Sequence, residues 1–151
     1  MTSRVPSATT FPSVDHVLGG RKVLGVRPRS AMDWIGVIRG GIPATAVDSI
    51  RNAVGLSQSE LARVLCIPER TLARRKREGV LSSEESSKLL RLARVVSRAR
   101  QVFDDRGAAV DWLKSPNVVL SGNAPLNLLD TDIGAESVLD TLGRIEHGVF
   151  A

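Results

Sequence analysis

The 151-residue sequence contains no Tyr, three Phe, two Trp, two His and a single Cys. Each scarcity removes a class of protein. With aromatics at 3%, base stacking on rings, the usual grip on single-stranded nucleic acid, has almost nothing to work with. A lone Cys66 forms no intramolecular disulfide, which excludes a disulfide-stapled fold. His16 and His147 with that one thiol supply too few nitrogen and sulfur ligands for zinc, and no ligand spacing suggests a site. No apolar run approaches the ~18 residues that span a bilayer. The opening segment, MTSRVPSATTFPS, is polar and proline-broken, without the hydrophobic stretch of a signal peptide. Neither G-x-S-x-G, nor a P-loop, nor a paired-histidine motif, nor a Cys/His nucleophile pattern occurs. The expectation is a cytoplasmic chain that is not an enzyme, needs no cofactor or metal and does not engage a membrane.

What is present is charge, unevenly placed. The net value is +5. Residues 1–50 carry six basic and three acidic side chains, residues 51–100 twelve and five, and residues 101–151 three and eight. A basic middle joined to an acidic end implies two surfaces for partners of opposite charge.

Hydrophobic periodicity and breakers read as all-α, without a pair of alternating strands. Residues 1–30, rich in Pro, Gly, Ser and Thr, read as a flexible arm with at most short ordered pieces. Ser30 caps a helix over Ala31–Arg39, and a second runs over Ala44–Val54 to a stop at Gly55. In the stretch GLSQSELARVLCIPERTLARRKREG, Ser57 and Glu60 form a capping box. Leu61 and Leu65 give that helix an apolar face. Cys66-Ile67-Pro68 turns the chain, with Cys66 a small half-buried turn residue, and a further helix runs from Glu69 to Glu78, ended by Gly79. This is a helix-turn-helix pattern.

A long amphipathic helix over 84–103 follows, its apolar face broad enough for a core or a dimer seam. Lys88, Arg91, Arg94 and Arg98 lie opposite, either as phosphate contacts or solvated. Beyond it come a short helix over Ala108–Lys114, an extended piece at Val118–Leu120, a turn at Gly122–Pro125 and a last helix over Asp132–His147. The division expected is an arm (1–30), a helix-turn-helix domain with its connecting helix (31–103) and a small helical domain (104–151).

The second helix of the motif presents Arg70, Thr71, Arg74, Arg75, Lys76 and Arg77. With Leu72 turned inward against Leu61 and Leu65, Arg70, Thr71 and Arg74 face outward. An arginine there can bridge O6 and N7 of guanine in the major groove, and a threonine can touch a thymine methyl. Charge alone fits a solvated helix equally well; the capping box, three-residue turn and Gly79 stop favour double-stranded DNA. Gly55-Leu56-Ser57-Gln58, Glu60-Leu61-Ala62 and Thr71-Leu72 resemble the DNA-binding domain of Xre-type (Cro/C1-like) regulators. The resemblance implies that Gln58 meets the DNA backbone and that the second helix reads bases. Cys66 stands where such turns usually place Gly, Arg75 replaces a customary aromatic, and Pro68 replaces a Ser or Thr cap. Such proteins usually bind as dimers to half-sites about 34 Å apart, so a homodimer is expected.

In the acidic end, Asp132, Glu136 and Asp140 recur every four residues along the last helix, and Arg144 extends the row. Gly134 and Gly143 each cost a helix roughly 1 kcal/mol relative to Ala, which implies a close approach by a partner or by this chain itself. Arg144 is placed to pair with Asp140, and His147 to cap the helix near its negative end. The elements Gly122-Asn123, Pro125-Leu126, Leu128–Thr131, Gly134-Ala135 and Leu142–Gly148 resemble the toxin-binding domain of the Xre/MbcA/ParS antitoxins. The resemblance implies the antitoxin half of a type II toxin–antitoxin pair. It would neutralise a RES-domain toxin, an NAD-consuming fold, by covering its active site, and repress its own operon promoter. The residues implied in toxin contact are Asp132, Glu136, Asp140, Arg144 and His147, with Gly148 releasing an apolar tail, Val149, Phe150 and Ala151. The alternative is a free-standing regulator whose C-terminal part dimerises or senses a ligand.

Overall fold

A computed structural model describes residues 14–148. In chain order the helices are α1 (Gly20–Leu24), α2 (Ala31–Gly40), α3 (Thr45–Val54), α4 (Gln58–Leu65), α5 (Glu69–Glu78), α6 (Ser83–Phe103), α7 (Arg106–Lys114) and α8 (Asp132–Glu146). Two 3-10 turns, Val118–Leu120 and Pro125–Leu128, separate α7 from α8. Among the described residues there is no strand, only isolated bridges pairing Pro43 with Val80 and Asn117 with Asn123. The fold is all-α.

Local signals set most boundaries. Ser30, Ser57, Ser82, Asp105 and Thr131 each accept a hydrogen bond from the third residue of the helix they open. Ser57 with Glu60, and Ser82 with Glu85, form complete capping boxes. Helices α3 and α5 stop at the left-handed Gly55 and Gly79.

Helix α6 is the axis of the molecule. Leu89, Leu90, Leu92, Ala93, Val95, Val96 and Ala99 are all buried, and the helix packs against α2, α3, α4, α7 and α8. Its broad apolar surface is core rather than a seam, because elements from both halves of the chain cover it. Phe103 at its end meets Trp112 of α7, ring centroids 5.8 Å apart.

Two local expectations change. Residues 14–24 do not form a free arm: Val14, Val17, Leu18 and Leu24 belong to the main core. Val14, Val17 and Leu18 fall at i, i+3 and i+4, one helical turn cut short by Gly19–Gly20, and with Leu24 they suffice to dock the segment. Val118–Leu120 is a 3-10 turn rather than an extended piece, because the Asn117 side chain accepts from the Val119 amide at 2.8 Å and folds the backbone over.

The return from α5 is stitched to the segment before α3. Leu81 N–H donates to the Ile42 carbonyl at 2.9 Å and Ala44 N–H to that of Gly79 at 2.9 Å. The buried Ile42 N–H donates to Ser86 Oγ at 2.8 Å. Gly41 is required at this crossing: its φ is +89°, and a Cβ there would sit 2.5 Å from the Leu81 carbonyl oxygen.

Candidate functional site

Helices α4 and α5 and their turn form the helix-turn-helix. The turn pivots on Cys66, at φ 54°, ψ 43°, in the left-handed region that favours Gly. Its N–H reaches the carbonyls of Ala62 and Arg63, and Lys88 of α6 donates to its own carbonyl at 3.1 Å. Cys66 is exposed rather than half-buried, and Ile67 beside it fills the core instead.

Tertiary contacts divide the side chains of α5 into two sets. Leu72 is buried against the core. Arg75 turns toward α6, its Nε 2.7 Å and Nη2 3.1 Å from the two carboxylate oxygens of Glu85, with Nη1 2.9 Å from Glu78. Donating to Glu85, then to Glu78, raises the guanidinium's pKa further. The same bond holds the Glu85 carboxyl below its usual range, against the opposing effect of its burial. Lys76 binds Asp48 of α3 at 2.8 Å. Arg75, expected on the DNA-reading face, is therefore a clamp between α5 and α6: a bidentate pair holds its planar fork inward. Arg70, Arg74 and Arg77 remain exposed, at positions i, i+4 and i+7 of one face, with Thr71 half-buried beside them. Arg74 makes only a loose contact with Glu78, at 3.8 Å. Gln58 is half-buried in the first turn of α4.

The far side of α6 also differs from expectation. Arg91 bonds the Asp132 carboxylate at the start of α8 and the Leu129 carbonyl at 3.2 Å. Arg98 makes a bidentate pair with Glu146 at the other end, at 2.5 and 3.2 Å. The Arg98 bond draws the Glu146 carboxyl below its usual range. Both arginines are committed to partners within the chain rather than solvated, and both tie α8 alongside α6, in the same chain sense. Sequence reading missed these pairs because they join residues 41 and 48 positions apart.

On α8, Asp132, Glu136 and Asp140 are all exposed, so the acidic ridge stands at the surface. Asp132 also anchors Arg91, and Asp140 meets Arg144 at 3.4 Å. Glu136 and Asp132 rim a groove of about 270 Å³ floored by Ile38, Leu90, Ala135 and Leu139. The two helical glycines serve different ends. A Cβ on Gly134 would lie 1.8 Å from the Leu128 carbonyl oxygen, so its close approach is internal; one on Gly143 would meet nothing within 4 Å. His147 is exposed and closes the helix, its N–H on the Gly143 carbonyl, and Gly148 follows at φ +73°. Val149, Phe150 and Ala151 lie outside the described residues.

Comparison with known proteins matches these two regions separately. Residues 33–94 match the antitoxin Xre-like helix-turn-helix domain, and residues 98–148 the antitoxin Xre/MbcA/ParS C-terminal toxin-binding domain. Antitoxin Xre of Yersinia enterocolitica is 37% identical over 76% of this chain and 78% of its own length. A Sphingobium protein named Prs ADP-ribosylating antitoxin is 29% identical over 81% and 83%. Among solved structures, a chain of the M. tuberculosis MbcT–MbcA toxin–antitoxin complex superposes with a TM-score of 0.55 at 27% identity, covering 72% of this chain and 96% of that one. An Xre-like helix-turn-helix followed by a toxin-binding domain, in one chain and in that order, makes this protein a member of the Xre/MbcA/ParS antitoxin family.

Proposed function

We propose that this antitoxin neutralises a RES-type, NAD-consuming toxin by covering its active site, and that as a homodimer it represses its own operon by binding the promoter. It acts by binding, without catalysis of its own. The observation that carries the first part is the exposed ridge of Asp132, Glu136 and Asp140 within the region matching a toxin-binding domain. A cleft that holds the phosphates of NAD is electropositive, and carboxylates complement it as anionic substitutes. Arg144, His147, Gly148 and the segment Val149–Ala151 complete the contact. The ADP-ribosylating chemistry in the Sphingobium relative's name consumes NAD, which agrees with such a partner.

For the second part, Arg70, Arg74 and Arg77 with Thr71 form the face of α5 that enters the major groove, while Gln58 meets the backbone. Arg75 supports that face from behind.

Co-expression with the product of the adjacent reading frame tests the proposal. That product alone should arrest growth and deplete NAD, and this chain should restore both. The double reversal Glu136→Lys/Asp140→Lys, or removal of residues 148–151, should abolish rescue while promoter binding persists. Full rescue by those variants would remove the ridge and tail from the toxin contact.

A further inference from the structure

We propose that Val118, Val119 and Ile133 are the apolar anchors by which this chain grips its toxin, with the acidic ridge orienting the approach; this rests on the toxin-neutralising reading above. All three side chains stand in water, at 93%, 52% and 78% exposure. All three fall within the region matching the toxin-binding domain.

Their backbone is held with unusual care. In the Val118–Leu120 turn the Asn117 side chain accepts from the Val119 amide at 2.8 Å, and Asn117 N–H donates to the Asn123 carbonyl at 3.1 Å. Gly122 N–H returns to the Asn117 carbonyl at 2.8 Å, and Asn123 Nδ2 to the Leu120 carbonyl at 2.9 Å. Leu120 is buried and the turn packs on α8. Burying Leu120 asks nothing of its two neighbours, and polar residues would serve a solvated turn better. A fixed loop that lifts two stiff β-branched side chains into solvent is instead preorganised for a partner, so little entropy is lost on docking.

Ile133 sits on an equally fixed turn. Asp132 before it is tied to Arg91, and Gly134 after it is pressed against the Leu128 carbonyl.

Charge selects the occupant. Asp130, Asp132, Glu136 and Asp140 are exposed on α8 and the turn before it. That surface repels DNA, and two copies meeting there would oppose like ridges. A protein with an electropositive cleft suits it.

The test measures affinity of the intact chain for the product of the adjacent reading frame. Val118→Asp/Val119→Asp and Ile133→Asp should each weaken it at least ~30-fold, the scale of a binding hot spot. Thermal unfolding and promoter binding should not move. Met32→Asp, at an apolar residue 73% exposed on α2, should leave toxin affinity unchanged. The milder Val118→Ala/Val119→Ala guards against misfolding and should still weaken binding several-fold. Wild-type-like affinity in the Asp variants overturns the inference, as does an equal loss in Met32→Asp or a change in self-association with toxin binding intact. Failure of the wild-type chain to bind that product would instead bring down the neutralisation reading, and the anchors with it.

Discussion

Single side chains in this molecule take their meaning from what lies across from them. Gly134 and Gly143 are alike in sequence, both inside α8, yet only Gly134 has a backbone oxygen where its Cβ would go. Gly134→Ala should therefore destabilise the fold by about 1–3 kcal/mol or more, as forced overpacking does. Gly143→Ala should stabilise it by up to about 1 kcal/mol, since a helix interior prefers Ala. Urea unfolding of the two variants distinguishes them. Reduced toxin affinity in a fully stable Gly143→Ala would add this position to the contact surface.

At the scale of elements, the arginines sort by partner rather than by helix. Arg75 belongs to the basic run of α5 but faces Glu85; Arg98 belongs to the basic stripe of α6 but faces Glu146. Arg75→Ala should lower the unfolding midpoint and leave base preference largely intact, seen by melting and by binding to operator variants. Arg74→Ala should do the reverse, losing ~1–3 kcal/mol on the operator and relaxing specificity at one position. The salt dependence of DNA binding separates the rest: Arg77→Ala should reduce the slope of log K against log salt by ~1. Arg98→Ala should leave that slope alone and loosen α8 from α6.

Across the whole molecule, α6 is a shared rod. Glu85 near its start holds α5, Lys88 the turn before it, Arg91 the beginning of α8 and Arg98 its end. Two of these fastenings carry a pH signature. Glu85 and Glu146 have folded-state pKa values below the ordinary 4.5, owing first to Arg75 and Arg98 respectively. Depressed carboxyl values mean that the unfolded chain takes up protons first on acidification. The stability these groups add is complete above about pH 4.5 and drains as pH falls through their folded values. Thermal melts between pH 7 and 3 should show this loss, and Glu85→Gln/Glu146→Gln should start lower and fall less steeply.

The sequence by itself determined the helices from residue 31 onward, most of their caps and the split into a basic helix-turn-helix part and an acidic toxin-binding part. Those signals are local: Ser57 and Glu60 are three residues apart, and a helix end is decided within one turn. Family membership was legible for the same reason, in short contiguous motifs. Residues 14–24 were not legible, because Val14, Val17 and Leu18 mark only a single helical turn before Gly19–Gly20, too short to declare itself until a core receives it. Nor was the outward set of charges. Arg75 and Arg77 look equivalent along the chain, and so do Val118 and Leu120. Only the packed structure decided that Arg75 turns in and Arg77 stays out, that Leu120 is buried and Val118 stands in water. Facing depends on distances between elements tens of residues apart, and no local pattern encodes them.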